Sequence, residues 1–189
     1  MGLIGWIVVG VIVLLLLYAV AVYNRLVKLR ALVREGFSGI TVQLRRRADL
    51  VPNLVSTVQG YATHERAVLA EVTEHRADAT KAGGVQATAQ ADTAFSAMLG
   101  RLMAVAEAYP DLKADDNFRQ LQDELTQIEE ELQGARRYYN ATVRDLNTRV
   151  QSFPEMLFAG PMGFTQEPFY SDDDYSIQAA PTVSFGAER

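Results

Sequence analysis

Residues 3–23, LIGWIVVGVIVLLLLYAVAVY, are 21 consecutive positions without a charge. As an α-helix rising ~1.5 Å per residue they reach roughly 30 Å, the thickness of a bilayer's hydrocarbon core. This run constrains the fold more than any other feature, since a chain carrying it is expected to be held in lipid at one end. Trp6 lies near one end of the run, with Tyr18 and Tyr23 near the other, where amphipathic rings meet the two interfaces. The competing reading is a cleaved signal peptide, because Ala19, Val20 and Ala21 form an A-x-A. No basic residue precedes the run, however, and it is long for a signal-peptide core, so a retained anchor is expected. The start MGLIGW does not fit myristoylation, with Trp6 where Ser or Thr is needed. Arg25, Lys28, Arg30 and Arg34 follow the run, and the positive-inside rule then places the bulk of the chain in the cytoplasm. Those cations sit at headgroup level, where each contributes about 1 kcal/mol of attraction to anionic lipid.

Beyond the anchor, apolar residues recur at helical spacing: Leu26, Leu29, Val33, Phe37, Ile40, Leu44, Ala48, Val51, Val55, Val58 and Ala62. Gly83 and Gly84 end this stretch. A second stripe, Phe95, Leu99, Leu102, Met103 and Ala106, predicts a helix from about 86 to 109, stopped by Pro110. The third stripe is the most regular. Phe118, Leu121, Leu125, Ile128, Leu132, Ala135, Tyr139, Val143, Leu146, Val150 and Phe153 follow at steps of three and four, with Asp115 or Asp116 able to cap the start. Such a seam needs a partner, either another helix of the same chain or a neighbouring subunit. Residues 24–50 hold seven basic positions against two acidic, and residues 107–131 nine acidic against two basic, so these helices are expected to attract each other. Exposed pairs at ~0.2–1 kcal/mol each set register more than stability.

The stretch QLRRRADLVPNLV, residues 43–55, interrupts the helical reading. Inside a helix Pro52 lacks the amide that Ala48 would accept from, at a cost of ~3 kcal/mol. With Asp49 as an N-cap, Pro52 would instead fall in the first turn of a new helix, so a break or kink is expected at 49–52. Arg45 and Arg46 lie four and three residues from Asp49 and can pair with it. The alternative for Arg45, Arg46 and Arg47 is anionic lipid or another anion. A straight helix from Tyr23 to Arg46 would carry that charge about 35 Å away, well past a Debye length of roughly 8 Å. After Phe153 the chain carries four of its six prolines and many aromatics, which predicts an extended tail. Phe153, Leu157, Phe158, Phe164, Phe169 and Tyr170 are expected to dock it on the helices or on a neighbour, with the last ~15 residues mobile.

Three motifs, YNRLVKLRALVREGFSGITVQLRRRADLVPNLVSTVQGYATHE, YPDLKADDNFRQLQDEL and ARRYYNATVRDLNTRVQSFPEMLFAGPMGF, follow the apolar run in order. Across about residues 22–165 the chain resembles the LemA family of bacterial membrane proteins. The positions that match the family's signature are Tyr23, Asn24, Gln43, Arg46, Arg47, Asp49, Pro52, Asn53, Arg136, Tyr139, Asn140, Asn147, Phe153 and Pro154. The resemblance implies an N-terminal transmembrane anchor followed by an antiparallel helical bundle, without an established enzymatic activity or cofactor. The chain also echoes itself, YNRLVK at 23–28 and YNATVR at 139–144, which suggests a packed Tyr beside an Asn that bonds across helices.

Catalytic signatures are scarce. There is no cysteine, and the net charge of -5 argues against a general nucleic-acid binder. His64 and His75 are eleven residues apart without further ligands in an HExxH pattern, so buried or interfacial histidines are expected rather than a metal site. Asp172, Asp173 and Asp174 with Glu167 lack EF-hand spacing. Glu124 and Glu129–Glu131 read as the wet face of the third helix, and neither a phosphate loop nor a G-x-S-x-G setting occurs. The expected organisation is all-α: an anchor at 1–23, a three- to four-helix antiparallel bundle at 24–153 with helices near 24–48, 50–80, 86–109 and 115–153, and a tail at 154–189. The expected function is a non-enzymatic, self-associating scaffold or interaction module at the bacterial inner membrane, without cofactor or nucleic acid. Its partners would be membrane lipids, further copies and other membrane proteins. The alternative is a lipid- or anion-responsive adaptor using Arg45–Arg47.

Overall fold

The computed structural model describes residues 2–62 and 64–171. Its elements are α1 (Leu3–Tyr61), α2 (Arg66–Lys81), α3 (Val85–Glu107), α4 (Pro110–Ala114), α5 (Asp116–Gln151) and α6 (Met156–Ala159), with no strand among the described residues. The chain is therefore all-α, built on one helix of 59 residues whose length is ~90 Å at the usual rise. The apolar run forms the free end of α1, its side chains almost all exposed. From Val22 onward one stripe is buried: Val22, Leu26, Val33, Ile40, Leu44, Ala48, Val51, Leu54 and Val58.

No break occurs at 49–52. Helix α1 continues through Pro52, and Asp49, expected as an N-cap, sits in mid-helix. The reason lies on the neighbouring helix. Arg76 Nε donates to the Ala48 carbonyl at 2.6 Å, supplying the hydrogen bond that proline cannot, and its guanidinium stands 3.8 Å from Asp49. The chain instead reverses after Tyr61, inside the stretch read as one helix from 50 to 80. Gly60 in the last turn of α1 weakens the helix there, and α2 folds back because doing so buries Leu69 and Val72 in the cluster that holds Val51, Leu54 and Val58. A charge-assisted bond such as that from Arg76 contributes ~1.5–3 kcal/mol, so Arg76→Ala is expected to lose about that much in urea unfolding followed by circular dichroism. In a Pro52→Ala background the restored amide takes over the Ala48 carbonyl, and the same substitution should lose less than half as much. Equal losses in both backgrounds would mean that Arg76 stabilises the chain by another route.

Helix α5 begins where Asp115 accepts a hydrogen bond from the Phe118 amide at 3.0 Å, an N-cap reinforced by Asp116 in the first turn. It runs antiparallel to α1, as the pairs Tyr61 with Asp115, Arg47 with Glu129 and Gly36 with Tyr139 show. A Cβ at Gly36 would lie 3.0 Å from the Tyr139 Cα, so glycine is what lets the two backbones approach there. The seam of α5 thus finds its partner within the chain. Phe118, Ile128, Leu132, Tyr139, Val143 and Leu146 are buried, whereas Leu121, Leu125 and Val150 are half-buried. Helices α2 and α3 form a hairpin turned by Gly84 at φ 81°. It covers mainly the half of α1 and α5 remote from the apolar run; over the other half, after a turn at 160–163, residues 164–171 return as an extended strap.

Two apolar clusters result. The proximal one joins Val22–Leu44 of α1, Leu132–Leu146 of α5, Ala159, Phe164 and Tyr170. The distal one joins Val51–Ala62 to Leu69, Val72, Phe95–Ala106, Leu112 and Phe118.

Candidate functional site

Between the two clusters lies a layer of charge. Arg47 occupies the buried stripe of α1 between Leu44 and Val51, and Asp92 that of α3 between Ala89 and Phe95; each is only 1% exposed. Asp92 accepts from Arg47 Nη2 with one oxygen, and from Arg136 Nη2 and the Tyr170 hydroxyl (2.7 Å) with the other. Arg47 Nη1 also donates to Ser96 Oγ at 3.0 Å and to Glu129 Oε2 at 2.9 Å. Two guanidinium groups and two carboxylates leave the layer formally neutral, which is what permits charge at this depth. The Nε atoms of both arginines are buried without a hydrogen-bond partner. Their guanidinium carbons lie 5.0 Å from the Phe95 ring centre and 5.6 Å from that of Tyr170, so ring faces give part of the solvation that Nε lacks.

Burial first, and the charge of Asp92 next, push the Tyr170 hydroxyl far above the usual phenol range, so it remains a donor to that carboxylate. Burial works against the charge of Arg136, but the attraction of Asp92 and its hydrogen bond outweigh it and the pKa is raised. The layer is four elements locked by one acidic residue.

Tyr170 reaches Asp92 because α5 clamps the strap. Asn147 Nδ2 donates to the Glu167 carbonyl at 2.9 Å while its Oδ1 accepts from the Glu167 amide at 2.8 Å. Two helical turns on, Asn140 does the same for Tyr170 at 3.0 and 2.8 Å. Each carboxamide pairs with both polar groups of one residue, as a neighbouring strand would. The Tyr139 hydroxyl, its pKa pushed up to about 12 by burial and secondarily by Glu167, donates to the Pro168 carbonyl at 2.8 Å. At the other end of the strap Arg30 donates to the Gly163 carbonyl at 2.7 Å and lies 4.0 Å from the Phe164 ring centre.

The sequence-expected residues fall as follows. Arg47 goes to the core; Arg46 pairs with Glu131 at 2.5 Å and with Gln43, not with Asp49; Arg45 is exposed and makes no ion pair among the described residues. Glu129 and Glu131, read as a wet face, are therefore partners of α1. Near the membrane-proximal end Trp6, Arg25 and Lys28 are exposed, Tyr18 packs edge-on against Phe158 and Tyr23 against Phe164. Of the residues expected to dock the tail, Phe158 is half-buried and Phe164 and Tyr170 are buried; Phe153, Leu157 and Phe169 stay exposed. In the Tyr-Asn echo, Asn140 bonds the strap rather than a helix.

The sequence profile of the LemA family matches residues 36–185. This chain belongs to the LemA family. Two magnetosome proteins, MamQ 1 and MamQ 2 of Paramagnetospirillum magneticum, are each 25% identical over 79% of this chain and 65% of their own length. Protein LemA of Metamycoplasma hominis is 26% identical over 69% of this chain and 60% of its own. The chain thus spans a little under two thirds of these relatives. Family membership and the apolar end of α1, the one described helix long and apolar enough to cross a membrane, together make this a membrane-associated protein.

Asp92 and Ser96 of this LemA-family chain escaped the sequence reading, though Asp92 sits in step with Phe95, Leu99 and Leu102 and thereby marks a charge on a buried face. Of the histidines expected to be buried or interfacial, His64 is instead exposed in the turn before α2, and His75 is half-buried within α2. Among the described residues no group of His, Asp and Glu is placed to hold a metal. Asp172, Asp173 and Asp174 lie outside the described residues.

Proposed function

We propose that this LemA-family chain is a non-enzymatic, single-pass scaffold of the bacterial inner membrane that self-associates and presents its bundle on the cytoplasmic side. The observation that carries this reading is the continuity of α1. One uninterrupted helix leads from the apolar run to Tyr61, and α5 braces it from Gln151 to Asp116, so the distal bundle is a rigid extension of the anchor rather than a domain on a linker. Such a rod sets the height and orientation of whatever it binds. The polar groups of its core are matched to one another in the Asp92 layer and do not face an enclosed cavity. The cations that follow the apolar run support the cytoplasmic side.

Self-association needs a surface other than the α5 seam, which α1 covers. An open apolar groove of ≈ 330 Å³ between α3 and α5, with Leu99, Met103 and Leu125 in its walls, supplies one. The adaptor reading through Arg45–Arg47 would rest on Arg45 and the surface-exposed Arg46, since Arg47 is buried on Asp92 and Arg46 pairs with Glu131. Light scattering coupled to size-exclusion chromatography on the detergent-extracted full chain tests the proposal. The protein mass is expected at a multiple of 20.9 kDa; a monomer at every concentration would remove the self-association. The magnetosome in the relatives' names belongs to those proteins.

A further inference from the structure

The turn after α5 and the start of α6 leave three large apolar side chains uncovered: Phe153 is 78% exposed, Met156 51% and Leu157 59%. They are not a loose end. Arg149 holds Glu155 at 2.7 Å, the Met156 amide donates to the Ser152 carbonyl at 2.8 Å, and buried Ala159 roots the turn in the proximal cluster.

Their level along α1 is informative. Phe158 packs on Tyr18 with ring centres 5.8 Å apart. Tyr18 is five residues inside the uncharged run, so this contact lies about 7–8 Å to the lipid side of Tyr23. The depth matches the ~5–10 Å at which interfacial apolar segments sit below the headgroups. Beside the turn the surface is charged, with Asp145 among three arginines. Arg25 and Arg144 share an open cleft of ≈ 540 Å³ with Ser152, the neighbour of Phe153.

We propose that residues 153–157 are a second point of membrane contact, in which Phe153, Met156 and Leu157 enter the headgroup–acyl boundary of the leaflet through which α1 emerges. The inference rests on the reading that the apolar run of α1 spans that bilayer. Lipid is the occupant, rather than a second copy, because the short helix that carries Met156 and Leu157 packs through Phe158 on Tyr18, inside the uncharged run of the anchor. A single helix is free to tilt and rotate in a membrane; with a second contact beside it, the rod has one tilt and one facing direction.

The chain has one tryptophan, Trp6, within the anchor, so single-indole reporters are available. The full-length protein is reconstituted into vesicles of phosphatidylcholine with an anionic lipid, both as the native chain and as Trp6→Phe/Phe153→Trp. Position 153 is largely exposed, so the substitution leaves the core untouched. Control indoles come from Trp6→Phe/Val42→Trp, because Val42 is 53% exposed and lies about 28 Å beyond Tyr23. With the bromines carried near the glycerol end of the acyl chains, the indole at 153 is expected to lose about half its emission, and less with bromines near the terminal methyl, while position 42 is unaffected. An indole at 153 that is insensitive to brominated lipid overturns the proposal, including when its emission is blue-shifted by contact with another copy. Quenching of native Trp6 separates the two failures: retained, the span stands and only the second contact falls; absent, the span falls as well.

Discussion

Replacing Asp92 with leucine is expected to remove ~3–5 kcal/mol of folding stability, because it strands two arginines whose charge this carboxylate compensates. The Arg47 side chain is only 1% exposed at the inner wall of the α3–α5 groove, and beyond Asp92 its guanidinium has only Ser96 and the partly exposed Glu129. Arg136 is 23% exposed and can turn outward, so most of the loss comes from Arg47. The double variant Arg47→Met/Asp92→Leu removes the stranded charge together with its partner, and buried ion pairs replaced by apolar side chains of similar volume are often neutral. It should recover most of the stability that the single variant loses. Urea unfolding of the detergent-solubilised chain, followed by circular dichroism, reads both. A double variant no better than Asp92→Leu would mean that the packing of this layer, not its charge, holds the helices.

The layer also bears on cooperativity. It is where the distal hairpin, the paired α1 and α5, and the proximal strap all touch, through Asp92, Arg47, Arg136 and Tyr170 respectively. The two apolar clusters on either side are separate. Without the layer the distal four-helix part and the proximal part would be coupled by the shared backbones of α1 and α5 and by Ala89 and Val85 of α3, which pack in the proximal cluster.

How much of this could be read in the sequence follows from which interactions are local. The helices, the uncharged run and the α5 seam are periodic patterns, and the pairing of a basic α1 with an acidic α5 is a composition bias. All of these survive in a one-dimensional reading. The helix through Pro52 does not, because the group that rescues it, Arg76, is 24 positions away and nothing about an arginine announces which carbonyl it will reach. The reversal after Tyr61 fails for the opposite reason: the local signal is a lone Gly60, too weak to read as a stop, and the burial of Leu69 and Val72 on α1 is what turns the chain back. Arg47 was legible in principle. It falls in step with Ile40, Leu44 and Val51, so a charge on a buried face was visible in α1, as was Asp92 in α3; reading RRR as one patch hid that only its third member faces inward.

The strap should come away when its two clamps are removed together. Asn140 and Asn147 make four hydrogen bonds to the backbone of Tyr170 and Glu167, and at ~0.5–1.5 kcal/mol each, Asn140→Ala/Asn147→Ala is expected to lose about 2–6 kcal/mol of strap attachment. The loss is local rather than global, since α2, α3 and the distal cluster touch none of these bonds. Amide hydrogen exchange at Glu167 and Tyr170 should therefore accelerate, and a protease should cut within 160–171, while the α3 amides keep their protection. Release also withdraws the Tyr170 hydroxyl from Asp92, so the single Asn140→Ala variant, which frees the end of the strap nearer the layer, should weaken the charge layer more than Asn147→Ala does. In Asn140→Asp the carboxylate still accepts from the Tyr170 amide but repels its carbonyl, and an intermediate exchange rate is expected. Unchanged protection at Tyr170 in the double alanine variant would show that Phe164, Arg30 and the Tyr139 hydroxyl suffice to hold the strap, leaving the two carboxamides as followers of its position rather than its cause.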